Sequence, residues 1–218
     1  MYNFFAVKQK IPPENVIELY DEEATSQNLQ NAVQKIAGKA DDNSLVYVYL
    51  DGHSGTGYIK LADRRTPYEE IDGGLDEINA GLVIVNPDGC KSGSAIEPMK
   101  EGPCPRIVIT MTDAETNTGG CVTSNIAHLV GCDIEERRQH FYNFPKGPDY
   151  HLKQELRFIK DYDTNHDGYF SLGEARGFVL YQNPDSQLSD PLNLAPEVYI
   201  GDWRVYRPET IENLLYTE

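Results

Sequence analysis

His53 and Cys90 each follow a short apolar run, and each sits in a glycine-rich turn. A thiol is a strong nucleophile as thiolate, and an imidazole moves protons near neutral pH. The two types together are therefore those of covalent acyl chemistry. The first run reads Leu45-Val-Tyr-Val-Tyr-Leu50, then Asp51-Gly-His53-Ser-Gly-Thr-Gly57. The second reads Gly81-Leu-Val-Ile-Val85, then Asn86-Pro-Asp88-Gly-Cys90-Lys-Ser-Gly93. β-branched or aromatic runs closed by Gly, Asp and Ser read as strands ending in loops. Between them Tyr68, Ile71, Leu75 and Ile78 recur at helical spacing. Strand, helix and strand with a short return make a βαβ unit, whose strands run parallel. Open α/β sheets carry their sites at the carboxyl edge. His53 and Cys90 are thereby predicted to be neighbours there, with the backbone N–H groups of Ser54 and Cys90 placed to hold an oxyanion. Taken singly, a cysteine is more often a small buried hydrophobe and a loop histidine a satisfied polar group. The pairing carries the catalytic reading.

A second constellation lies downstream. Asp163-Thr-Asn165-His-Asp167-Gly168-Tyr169-Phe-Ser171-Leu-Gly-Glu174 matches the twelve-residue EF-hand loop position by position. Asp163, Asn165 and Asp167 supply side-chain oxygens, Gly168 takes the turn, Tyr169 offers its carbonyl, Ser171 fits the ninth place and Glu174 closes the loop with two oxygens. Leu152, Leu156 and Ile159 before the loop, and Ala175, Val179 and Leu180 after it, have helical spacing. Calcium, a hard cation, prefers such an oxygen cage. The bland alternative is an Asx-rich turn that binds nothing. No second such loop exists in the sequence, which favours a structural clip over a switch and leaves regulation open.

The residues around His53 and Cys90 resemble the catalytic core of the caspase-like (clan CD) cysteine peptidases, closest to the legumain or asparaginyl endopeptidase family. Those proteins carry His-Gly after one strand and an acidic-small-Cys-x-Ser-Gly pattern after the next. Arg106-Ile-Val-Ile-Thr-Met-Thr-Asp-Ala-Glu115 is similar to the strand that follows their catalytic cysteine. The resemblance covers about residues 3–125. It implies a caspase-like three-layer α/β/α sandwich with a mostly parallel sheet, here with an inserted helical EF-hand segment, and it implies a His53/Cys90 dyad. It also places Asp88 at the first substrate pocket, where a carboxylate favours Arg or Lys, or Asn as second choice, with Asp113 adding to it. For Asp88 the equal alternative is a carboxylate capping backbone N–H groups. Two features depart from the family. His53 is followed by Ser54 rather than Gly. The family's first strand has no counterpart, since Met1 to Lys10 reads as the helix that follows it.

Composition bounds the remainder. A chain of 218 residues, 39% hydrophobic and 25% charged, is of ordinary globular type. Net charge −16 argues against nucleic acid, which requires a basic surface. No apolar run approaches the roughly 18 residues of a membrane span, and no signal peptide is visible. Cys90, Cys104, Cys121 and Cys132 show neither CxxC nor zinc spacing. Reduced thiols are the simpler reading, with a Cys104–Cys121 pair left open.

In chain order, residues 2–10 read as a helix, Val16 to Tyr20 as a strand, and Ser26 to about Ala37 as a helix capped by Ser26 and ended by a left-handed Gly38. Tyr58 to Leu61 reads as a hairpin arm beside His53, Ile96 to Pro105 as loop, Ile107 to Ile109 as strand, and Thr118 to Cys132 as a helix on the sheet. Pro184 to Pro196 reads as loop, Val198 to Ile200 as strand, and Pro208 to Tyr216 as helix. The predicted domains are a core of 1–132, an EF-hand insertion of 133–185, and a C-terminal completion of the core, 186–218. The function expected is a calcium-containing cysteine endopeptidase acting on peptides or proteins. The alternatives are a catalytically degenerate calcium-binding interaction domain and a transpeptidase.

Overall fold

The computed structural model describes residues 10–117, 138–139, 142–182 and 184–202. The chain divides into two compact units, one of residues 1–123 with 182–194 and the other of residues 124–181 with 195–218. The predicted helices at 118–132 and 208–216, with Cys121 and Cys132, lie outside the described residues, as does the helix predicted over 2–10 except for Lys10, which is not helical (φ +56°).

The first unit is mixed α/β. Helix α1 (Ser26–Ala37) presents Val33 to the core, with Leu29 and Ile36 packed beside it. Its cap is Thr25, whose hydroxyl accepts from the Asn28 N–H at 3.2 Å, and not Ser26. Ser26 is held instead by Asp63, which accepts from its N–H at 2.9 Å and from its hydroxyl at 2.5 Å. Gly38 ends the helix in the right-handed region (φ −71°), so the left-handed cap is not used. Val16 to Tyr20 joins no described strand; its ends are extended but its backbone meets no ladder partner there.

Strand β1 (Leu45–Asp51) is followed by a small antiparallel sheet of β2 (Ser54–Gly55), β3 (Tyr58–Lys60) and β4 (Arg65–Pro67), then by α2 (Tyr68–Leu75) and β5 (Leu82–Asp88). A 3-10 turn spans Ser92–Ala95, and the short α3 (Ile96–Met99) takes the first four residues of the loop expected over Ile96 to Pro105, the rest of which joins neither helix nor strand. Ala95 and Met99 are fully buried, and these anchors fold that segment into turns. Strand β6 (Arg106–Ile109) completes the parallel part of the main sheet.

The main sheet has the order β1-β5-β6, closed by β8 (Leu188–Ser189) running antiparallel to β6. It is therefore mostly parallel, as the βαβ reading requires. Val46, Val48, Leu50, Val83, Val85 and Val108 alternate onto one face and form a single core with Tyr68, Ile71, Leu75, Ile78 and Met99 from the helical segments. Ile84, Ile107 and Ile109 point to the other face and are also buried, as expected of parallel strands covered on both sides. Asn86 is buried among them. Its side chain accepts from the Tyr47 hydroxyl at 3.1 Å and donates to the Ile109 carbonyl at 2.9 Å, tying three strands together.

The second unit is built around α4 (Pro148–Lys160), β7 (Tyr169–Ser171), α5 (Leu172–Gln182) and β9 (Tyr199–Asp202). Leu152, Leu156 and Ile159 of α4 and Phe170, Leu172, Ala175, Phe178 and Val179 of the loop and α5 are buried, whereas Leu180 is exposed. The sequence reading assigns 186–218 as a whole to the core; the structure divides it. Residues 188–189 join the main sheet, and 199–202 pair with β7 in the second unit. Two-residue and four-residue strands carry too little pattern to announce their partners.

Candidate functional site

Strands β1 and β5 pair in register from Leu45 opposite Leu82 to Asp51 opposite Asp88. Strand β5 thus continues through Asn86, Pro87 and Asp88, three residues beyond the apolar run. Pro87 is tolerated because β6 pairs with Val83, Ile84 and Val85, and among the described residues that side of β5 has no ladder neighbour beyond them. The register has a chemical consequence. His53 lies two positions after Asp51, and Cys90 lies two positions after Asp88, so both leave the same carboxyl edge at the same offset.

The two loops are packed against each other. Ser54 donates its hydroxyl to the Cys90 carbonyl at 2.6 Å, and the Gly52 N–H reaches the Asp88 carbonyl at 3.4 Å. A Cβ on Gly89 would fall 2.2 Å from the Ser54 hydroxyl and 2.5 Å from the Gly52 carbonyl, so only glycine permits this approach. Gly52 itself has φ +155°, which an L side chain rarely adopts. The hairpin arm expected beside His53 is present: the Lys60 N–H donates to the His53 carbonyl at 2.8 Å. Ser94 accepts from the Gly57 N–H at 2.9 Å and donates to the Lys91 carbonyl at 2.8 Å, a second stitch between the loops. Tyr68, at the start of α2, is fully buried, and burial pushes its phenol up to about 12.

The cysteine turn is also fastened to the segment after β6. Ser92 accepts from the Met111 and Thr112 N–H groups, both at 3.1 Å, and the Lys91 N–H donates to the Thr116 carbonyl at 2.8 Å. Ser92 and Ser94 have no separate place in the sequence reading. The hydroxyl-rich run Lys91-Ser92-Gly93-Ser94 was their only signal, since what each hydroxyl bonds is set by chain far away.

His53 is exposed, and Cys90 is partly exposed with its thiol free of any disulfide. Cys104 is likewise outside any disulfide and is buried, its thiol donating to the Ile78 carbonyl at 3.6 Å. Asp88 is 2% exposed at the end of β5. Asp113 is partly exposed, and its Oδ1 accepts from the Glu115 and Thr116 N–H groups at 2.8 and 2.7 Å. Those backbone donors hold its carboxyl below the usual range. Asp113 thus shapes the loop beside the cysteine turn.

In the second unit, Asp163 to Ser171 lies between α4 and α5, and Glu174 falls in the first turn of α5. Gly168 has φ +84°, as the turn position demands, and its N–H donates to Asp163 Oδ2 at 2.8 Å. Asp163 is 2% exposed, an unusual place for a carboxylate. Asn165 Oδ1 accepts from the Asp167 N–H at 3.0 Å, and Asp167 Oδ1 from the Tyr169 N–H at 2.8 Å. Ser171 and Glu174 form a reciprocal capping box at the start of α5. The Ser171 N–H donates to Glu174 Oε2 at 3.0 Å, and the Glu174 N–H to the Ser171 hydroxyl at 3.2 Å. Glu174 Oε1 accepts from the Thr164 N–H at 3.0 Å. Burial pushes the Glu174 carboxyl up, but the bonds from Ser171, Thr164 and Asn165 together outweigh it and leave it below the usual range.

Among the described residues no three His, Cys, Asp or Glu side chains are gathered at metal-binding distance. The loop's donor set nonetheless suits calcium, because half of it consists of the Asn165 amide, the Ser171 hydroxyl and the Tyr169 carbonyl. Also among the described residues, no helix is long and apolar enough to cross a membrane. No protein-family model and no curated protein matches this chain.

Proposed function

We propose that this protein is a caspase-like cysteine endopeptidase whose nucleophile is Cys90 and whose proton carrier is His53. The observation that supports it most is the register of β1 on β5, which gives the two residues equal offsets from Asp51 and Asp88 on one edge. In this reading His53 takes the thiol proton of Cys90, the sulfur attacks the peptide carbonyl, a C–S bond forms, and the carbonyl electron pair moves to oxygen. The Ser54 and Cys90 N–H groups receive that oxyanion. The C–N bond then breaks as His53 gives its proton to the leaving amine, and water hydrolyses the thioester.

Asp88 beside the nucleophile and a net charge of −16 favour a basic residue at the cleaved bond, Arg or Lys before Asn. The 163–174 loop would hold calcium through Asp163, Asn165, Asp167, Tyr169, Ser171 and Glu174. The ion's contribution there is charge neutralisation and rigidity.

A panel of fluorogenic peptides with Arg, Lys or Asn before the scissile bond tests the reading. Wild-type turnover should fall at least a hundredfold in both Cys90→Ala and His53→Ala, within the range for losing a nucleophile or a general acid. Equal turnover by wild type and Cys90→Ala would falsify it. Product formed with an added amine in place of water would make the enzyme a transpeptidase. A chain that binds calcium but turns over none of these peptides would support the non-enzymatic interaction domain.

A further inference from the structure

We propose that the Tyr68 hydroxyl is a positioning group for the turn that carries Cys90, acting through the Ser54 side chain; the proposal rests on the peptidase reading above. Tyr68 opens α2 directly after β4, and its side chain is fully buried. Its ring belongs to the same core as Ile59, Ile71 and Leu75. Its hydroxyl makes no hydrogen bond of ordinary geometry among the described residues. A buried hydroxyl left in that state forfeits its solvation, whereas a phenylalanine ring would fill the same space without that loss. Packing explains the ring, and the hydroxyl needs a reason of its own.

The small sheet supplies one. Ser54 stands opposite Ile59, and Ile59 opposite Thr66. Residues opposite one another across antiparallel strands share a face, so Ser54 lies on the face that the buried Ile59 and Thr66 occupy. Tyr68 follows Thr66 by two positions. Its N–H donates to the Gly57 carbonyl at 3.0 Å, which pins the start of α2 against the turn between β2 and β3. Burial pushes the Tyr68 phenol up, and the Ser54 hydroxyl is the side chain that pulls against that rise.

Ser54 also has the valence for a second bond. Its one proton goes to the Cys90 carbonyl at 2.6 Å, and its oxygen keeps lone pairs that can accept. A bond from the Tyr68 hydroxyl to Ser54 Oγ completes a chain of two, from Tyr68 to Ser54 to the Cys90 carbonyl. Each bond in such a chain polarises the next, so the first strengthens the second. It also holds Ser54 in the rotamer that meets Cys90, across the narrow space that Gly89 leaves for it. The effect reaches the backbone of the candidate nucleophile, and Tyr68 itself touches no reacting atom.

A double-mutant cycle on the full chain tests this, with wild type, Tyr68→Phe, Ser54→Ala and the two combined. Steady-state kinetics on the peptide panel and hydrogen exchange by mass spectrometry at 89–95 are the readouts. Tyr68→Phe should lower kcat about fivefold, the scale of one net hydrogen bond, with KM within about twofold. The combined variant should fall no further than the roughly tenfold of Ser54→Ala alone, where independent effects would multiply to about fiftyfold. Exchange at 89–95 should quicken in each single variant, and no more in the combined one than in Ser54→Ala. Unchanged kcat in Tyr68→Phe, or effects that multiply, overturns the proposal. So does a raised urea midpoint in Tyr68→Phe with exchange at 89–95 unchanged, the mark of an idle hydroxyl. When wild type cleaves none of the peptides, the peptidase reading fails and the exchange cycle decides this one alone. Coupled quickening then supports it, and no quickening in Tyr68→Phe overturns it.

Discussion

The Ser54 hydroxyl donates a 2.6 Å hydrogen bond to the carbonyl of Cys90, joining the loop after β1 to the loop after β5. The bond runs from a side chain to the backbone of the candidate nucleophile, so it orients the turn rather than the thiol itself. Ser54→Ala should lower kcat about tenfold, equivalent to roughly 1.4 kcal/mol, while leaving KM within about twofold. A matching rise in KM with kcat unchanged would assign Ser54 to substrate binding instead. Steady-state kinetics on the peptide panel reads the difference.

Gly89→Ala tests the same contact through sterics. The added Cβ meets the Ser54 hydroxyl and the Gly52 carbonyl, and one of these is backbone that cannot rotate away. The cost should be about 1–3 kcal/mol of stability, the usual range for overpacking. Urea unfolding of the variant measures it. A midpoint equal to wild type would mean that the two loops are not closely packed in solution.

Arg106 is fully buried at its side chain and pairs with Asp72 at 2.5 Å and Asp76 at 2.6 Å, while also donating to the Glu101 carbonyl at 2.9 Å. It fastens α2 and the segment after α3 to the start of β6. Burial raises the Asp72 carboxyl, and the Arg106 charge opposes that rise. Arg106→Met should cost about 3 kcal/mol, the low end for breaking a buried pair, because Asp76 is partly exposed. Denaturant unfolding checks the magnitude. A loss under about 1 kcal/mol would show that the pair behaves as a surface bridge.

Glu174 gives a pH dependence whose sign follows from its hydrogen bonds. Its folded carboxyl lies below the ordinary value of 4.5, so the stabilisation is present above that value and is lost as pH falls through the lower folded value. Without calcium, the 163–174 segment should therefore loosen as pH drops below about 4.5, and Glu174→Gln should remove that part of the acid dependence. Hydrogen exchange at 163–174 as a function of pH follows it.

Calcium itself should raise the unfolding temperature. An ion present at a hundred times its Kd contributes about 2.7 kcal/mol to the state that binds it. Thermal scans with calcium, then with excess chelator, read this in wild type, and Asp163→Ala should abolish the difference. An equal calcium shift in Asp163→Ala would place the ion elsewhere.

Much of this molecule was determined locally. The alternation of Val46, Val48 and Leu50, the helical spacing of Tyr68, Ile71 and Leu75, and the Gly-rich turns at His53 and Cys90 made the βαβ unit legible, because each signal lies within a few residues. The helices on either side of the 163–171 segment were legible for the same reason. What only the tertiary structure decided depends on partners distant in sequence. The extension of β5 through Pro87 follows from where β6 stops, and the choice of Thr25 over Ser26 as cap from the arrival of Asp63. The parting of 188–189 from 199–202 between two units follows from which strand edges were open. Short strands and single hydroxyls carry almost no pattern of their own, so their roles are set by the backbone groups that folding brings beside them.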